Sequence, residues 1–91
     1  MLNERIKSLR KANGLTQVEL ANKINVSKQC VSNWENNNIQ PSIDMLVKLA
    51  DFFSVSTDYL LCLDERRILD VTGLTDIQIE HIRRVIDDIR E

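Results

Sequence analysis

Apolar residues recur along this chain at spacings of three and four, and capping residues interrupt the stripes at short intervals. Leu2, Ile6 and Leu9 make the inner stripe of a first helix, which Asn3 can cap and Gly14 can end. Val18, Leu20, Ala21 and Ile24 supply a second apolar side, entered through Thr16 as N-cap, with Glu19 completing a capping box. Asn25 follows, one of the few non-glycine residues that accept a left-handed backbone at a helix end. Val26 can plug the corner, and Ser27 caps a third helix on which Val31 and Trp34 face inward. Pro41-Ser42 opens a fourth helix with Leu46, Leu49, Ala50 and Phe53 on its buried side. Ser56 or Thr57 then caps a short fifth through Tyr59-Leu60-Leu61. The expected fold is all-α: a five-helix bundle over residues 1–63, centred on Ile6, Leu9, Leu20, Ile24, Val31, Trp34, Leu46, Leu49 and Leu60.

Beyond Leu63 the pattern changes. Asp64-Glu65-Arg66-Arg67 reads as a charged, solvated stretch, and Ile68 to Thr72 has a strand-like composition over too few residues to decide. Gly73 breaks whatever this is, giving a linker over 64–73. Thr75 then caps a last amphipathic helix within 74–91, with Gln78 closing its capping box. Ile79, Ile82, Ile86 and Ile89 follow at spacings of three, four and three, an a/d seam flanked by Arg83, Arg84, Asp87 and Asp88. So short a helix is not stable alone, so its seam packs back on the bundle or pairs with its copy in a second subunit. An a/d-only stripe suits a narrow helix–helix contact, which favours pairing, and hence a homodimer.

Composition sharpens the picture in two places. Two Gly and one Pro in 91 residues reinforce the mostly helical reading. No run approaches the roughly 20 apolar residues of a membrane span, and Met1 to Arg5 lack the layout of a signal peptide. No membrane partner and a cytoplasmic location are therefore expected. The net charge of −2 argues at first against a polyanionic partner, but the distribution is uneven. Residues 1–28 hold Arg5, Lys7, Arg10, Lys11, Lys23 and Lys28 against Glu4 and Glu19, whereas residues 62–91 hold five Arg against eight acids. A basic end with an acidic tail is compatible with gripping a polyanion on one side.

The candidate chemistry lies on the third helix. Lys28, Gln29, Ser32 and Asn33 fall opposite Val31 and Trp34, and two short helices joined by a tight turn are how a small domain carries hydrogen-bonding groups into the DNA major groove. Taken alone, these four residues would be an ordinary polar helix face; their context changes the reading.

The ordered set Thr16-Gln17 with Leu20-Ala21, Val26-Ser27, Val31 with Trp34-Glu35, Pro41-Ser42, Leu49-Ala50 and Val55-Ser56-Thr57-Asp58-Tyr59-Leu60-Leu61 resembles the phage-repressor-like family, the Cro/C1 or XRE-type helix-turn-helix regulators. The resemblance runs from about Ile6 to Leu61 and implies a lambda-repressor-like bundle that binds double-stranded DNA and regulates transcription. By position it makes Lys28, Gln29, Ser32 and Asn33 base readers, and Gln17, with Thr16 before it and Asn36 after the helix, phosphate contacts. It also implies an ion pair between Arg10 and Glu35; read without it, that pair would be partly exposed and of little energetic weight. Asn25 and Asn37 stand where the family often has Gly, and Gln40 and Ile43 where some relatives are basic. The function expected is a homodimeric repressor on an inverted-repeat operator, with a protein effector or antirepressor as a further partner.

Two other functions compete. An antitoxin would use Ile79 to Ile89 to mask a toxin while the bundle autoregulates its operon. A protein-interaction module that had lost DNA binding would carry an acidic or apolar third helix, unlike Gln29 and Asn33. His81 stands alone without a second ligand at metal spacing, and Cys30 and Cys62 read as free thiols, with oxidation of Cys30 a conceivable block to DNA. No phosphate loop, Cys–His cluster or nucleophile elbow is present, so no catalysis, cofactor or metal is expected.

Overall fold

The computed structural model describes residues Met1–Glu91 and contains six helices and no strand. They are α1 (Leu2–Ala12), α2 (Gln17–Ile24), α3 (Lys28–Glu35), α4 (Ile43–Phe53), α5 (Thr57–Leu60) and α6 (Asp76–Arg90). Side-chain caps set the starts of five of them. Thr16, Ser27, Ser42, Ser56 and Thr75 each accept a hydrogen bond from the backbone amide three residues on, satisfying a donor that the helix itself leaves unpaired. The capping boxes at Thr16 with Glu19 and at Thr75 with Gln78 are both complete.

The first helix begins earlier than its polar residue suggests. Met1 occupies the cap position, and Asn3 lies inside the first turn with its Nδ2 directed at the carbonyl of Glu35, 3.5 Å away. Leu2 already belongs to the buried stripe, so the helix starts before Asn3 and frees that amide for a tertiary contact. Asn25 and Asn37 adopt the left-handed backbone, at φ of 61° and 59°, and Asn25 lets the amide of Val26 close onto Ala21 at 2.9 Å. Ser54 and Cys62 adopt the same conformation without a residue-type signal, turning the chain after α4 and α5.

The core gathers Ile6, Leu9, Leu20, Ala21, Ile24, Val31, Trp34, Leu49, Ala50, Phe53 and Leu60, and leaves Leu46 half-buried at its edge. Each large apolar side chain withdrawn here contributes roughly 1.5–3 kcal/mol relative to exposure. α3 packs across both α2 and α1, and α4 covers α2 and α5 from the other side. Val31 and Trp34 therefore fix the third helix from below while its opposite face stays clear.

The segment after α5 is irregular up to the start of α6. Ile68 to Thr72 forms no strand, because a lone extended stretch has no neighbour to complete its ladder. Asp64 to Arg67 is only partly solvated: Glu65 reaches Arg5, and Arg67 lies over Tyr59. α6 buries none of its residues. Ile79, Ile82 and Ile86 are half-exposed and Ile89 is 77% exposed. Ile82 and Leu74 border an open cleft of about 680 Å³ facing Val55, Ile68, Leu69 and Val71, while Ile89 at the end of the seam stays open to solvent. Arg83 pairs along the same helix with Glu80 at 2.7 Å and Asp87 at 2.9 Å. No helix is long and apolar enough to cross a membrane.

Candidate nucleic-acid interface

The reading face follows from how α3 is seated. With Val31, Trp34 and Glu35 buried, Lys28 and Gln29 are exposed and Ser32 and Asn33 half-exposed on the opposite side, each pair four residues apart. The face is internally ordered: Gln29 Nε2 donates to Asn33 Oδ1 at 3.1 Å, and Asn36 Nδ2 donates to the Ser32 hydroxyl at 3.3 Å. Such bonds hold the amides extended along the helix, and each amide keeps further donors and acceptors for a base edge. Cys30 is half-buried against the core rather than on this face, and the Ser27 cap takes its amide at 3.1 Å.

A second group positions the start of α2 beside it. Arg10 Nε donates to Glu35 Oε2 at 2.7 Å and Arg10 Nη2 to Glu35 Oε1 at 2.9 Å, a fork-on-fork pair. The side chains are 9% and 2% exposed, so the plain reading of a partly exposed, weak pair is corrected: packing of α1 on α3 closes water away from both groups. The Glu35 carboxylate holds the Arg10 guanidinium above its ordinary value. Arg10 Nη1 also donates to the Leu15 carbonyl at 2.8 Å, which ties down the turn between α1 and α2.

Glu35 Oε1 further accepts from Gln17 Nε2 at 3.2 Å. Gln17 is thereby fixed at the first turn of α2, where the unpaired amides and the helix dipole favour an anion. Thr16 spends its backbone amide on Glu19 at 3.0 Å and its hydroxyl oxygen on the Glu19 amide at 3.1 Å. Only its hydroxyl proton remains for an outside acceptor. Asn36, the C-cap of α3, is exposed. Lys28, Gln29, Ser32 and Asn33 lie along the outer side of α3, Gln17 meets the end of that helix through Glu35 with Thr16 before it as the cap of α2, and Asn36 follows Glu35 in the chain.

The family resemblance gave the Arg10–Glu35 pair, but sequence reasoning missed the further contacts of Glu35 with Gln17 and Asn3. Glu35 joins Arg10, Gln17 and, through its carbonyl, Asn3, so three helices are registered on one residue. Nothing in local spacing signals this, because the partners lie 32, 25 and 18 positions away.

Two short helices crossing through an αL asparagine, with the second helix polar on its open side, define a helix-turn-helix DNA-binding module. The helix-turn-helix family model matches residues 6–60, and the chain belongs to the phage-repressor-like, Cro/C1 or XRE-type, family of DNA-binding transcriptional regulators. It is 36% identical over 90 residues to the HTH-type transcriptional regulator ImmR of Bacillus subtilis (strain 168), covering 99% of this chain and 68% of that protein. Among solved structures it is similar to SinR, the master regulator for biofilm formation, in complex with DNA: TM-score 0.63, 40% identity, 67% of this chain and 98% of that one. It also resembles the SinR protein/SinI protein complex, with a TM-score of 0.65 and 28% identity over 99% of this chain and 98% of that one. These relatives are regulators rather than enzymes.

Proposed function

We propose that this chain is a homodimeric repressor that reads an inverted-repeat operator, each copy laying α3 in the major groove and pairing through α6. The observation that carries the reading is the polar face of Lys28, Gln29, Ser32 and Asn33, held above a buried Val31 and Trp34. Gln and Asn amides match the paired donor and acceptor of adenine in the major groove, and Lys matches guanine. Thr16, Gln17 and Asn36 serve as phosphate contacts that set the register of the helix. The SinR–DNA complex supports the same use of the module.

Pairing through Ile79, Ile82, Ile86 and Ile89 is supported by the lack of any fully buried residue on α6 and by the open end of the seam at Ile89, 77% exposed. One recognition helix spans too few base pairs to select a site in a genome, whereas two heads on a two-fold axis read half-sites about 34 Å apart. Affinity falls steeply with salt, because phosphate contacts displace counterions.

Gln29→Ala and Asn33→Ala test the reading face. Each is expected to weaken operator binding by about 1–3 kcal/mol and to relax preference at one base position. Fluorescence anisotropy against a panel of single-base operator variants measures both effects. An unchanged base preference in both variants contradicts the assignment.

A further inference from the structure

The chain does not leave the bundle as a free tether. After α5, Cys62 turns it back at φ of 64°, and the amides of Leu63 and Asp64 both donate to the Asp58 carbonyl, at 2.8 and 3.3 Å. Arg5 of α1, with a side chain only 15% exposed, then holds Glu65 from Nη2 at 3.0 and 2.9 Å. The Arg5 guanidinium lies 4.0 Å from the centre of the Tyr59 ring, and that of Arg67 lies 5.2 Å from it, so one aromatic ring gathers a cation from α1 and one from the segment after α5. Asp64 closes the turn by accepting from the Arg66 amide at 2.9 Å.

The next backbone-to-backbone bond joins Leu74 to Val71 at 3.1 Å, and an Asx turn at Asp70 and Thr72 precedes α6. The unanchored length is therefore about four residues, Ile68 to Val71, not the ten of the 64–73 linker. Fully extended, four residues reach about 14 Å and ten about 35 Å. The first distance is well short of the separation between successive major-groove faces, and the second equals it. A short tether restricts where α6 sits relative to the recognition helix, and so which half-site separations a dimer accepts.

We propose that Arg5, Tyr59 and Glu65 form a latch that sets the half-site spacing read by the dimer. This rests on the dimeric, DNA-reading function proposed above. The three residues touch no base; they fix the direction in which the dimerising helix departs from the reading head.

Two readouts on the full chain test it. Nitrogen-15 relaxation of the wild type should show amides 63–67 as rigid as the bundle, with 68–71 mobile. Mobility of 63–67 equal to that of 68–71 would overturn the latch irrespective of any DNA result. Binding to duplexes carrying the same two inverted half-sites at varied separation should show at least a tenfold preference of the wild type for one separation. Arg5→Met and Glu65→Ala should each flatten that preference several-fold while affinity for a single half-site holds for Glu65→Ala. The double variant should flatten it no further than the singles, as residues of one device do. A spacing profile unchanged in all three variants overturns the inference while leaving the dimeric reading intact. Failure of the wild type to prefer paired over single half-sites sinks the dimeric reading, and the spacing role with it.

Discussion

α2 and α6 begin in the same way and end in opposite circumstances. Each is entered through a threonine N-cap with a complete capping box, and each carries an apolar stripe. α2 buries Leu20, Ala21 and Ile24 against α3 and α4, whereas α6, nearly twice as long, buries nothing. Local chemistry thus specifies that a helix forms, but the partner of its apolar face is a separate matter. For α2 the partner lies within the next ten residues of chain; for α6 the chain holds only the rim of a cleft.

The bundle and the tail should accordingly respond to substitution in different ways. The largest contrast is expected at Glu35. Glu35→Ala leaves the Arg10 guanidinium buried without its carboxylate, and removing one partner of such a pair destabilises by about 3–5 kcal/mol. Urea denaturation followed by tryptophan fluorescence from Trp34 measures it; a loss below about 1 kcal/mol would show that the pair has little weight. Because Glu35 also holds Gln17, Glu35→Gln should keep more fold than Glu35→Ala while still weakening DNA binding.

On the tail the effect moves from folding to association. Ile82→Asp with Ile86→Asp places charges in the seam and should weaken dimerisation about 100-fold, some 2.7 kcal/mol, read by sedimentation equilibrium. The bundle's denaturation midpoint at high dilution should stay put. A large fall in that midpoint would mean that α6 packs on the bundle instead.

The smallest contrast compares the two caps. Thr16→Ala should cost about 1 kcal/mol of bundle stability, since α2 is part of the core. Thr75→Ala should leave the bundle unchanged and lower only the helical content of the tail, which circular dichroism resolves. The Thr16 box also carries a pH signature. The Thr16 backbone amide holds Glu19 below its ordinary 4.5, so its contribution is present above that pH and fades as pH falls through the lowered value. A cap contribution that instead grew on acidification would contradict this.

The same comparison shows what was legible in the residues. Helix starts were readable because Thr16, Ser27, Ser42, Ser56 and Thr75 act on amides three positions away. Most of the core was readable because period and burial coincide, with Leu46 left half-buried at its edge. The reading face was placed by the family resemblance, since Gln29 and Asn33 in isolation look like any polar surface. What stayed hidden was non-local. Asn3 caps nothing and instead reaches Glu35, Gln17 joins the same residue across 18 positions, and Glu65 meets Arg5 across 60, whereas the Arg10–Glu35 pair was implied by the resemblance and only its burial was not. Such pairs leave no periodicity for a local pattern to reveal. The left-handed turns at Ser54 and Cys62 were equally silent, because neither residue type announces that conformation.

The central claim is a division of labour: residues of α3 read a half-site, and α6 joins two readers. In-vitro selection from random duplex DNA, run with the wild-type chain and the Ile82→Asp, Ile86→Asp variant, addresses it most directly. The account predicts an inverted repeat for the wild type and the same half-site, unpaired, for the variant. Equal enrichment of the inverted repeat by both would contradict the role of α6, and no enrichment by either in low salt would contradict the reading face itself.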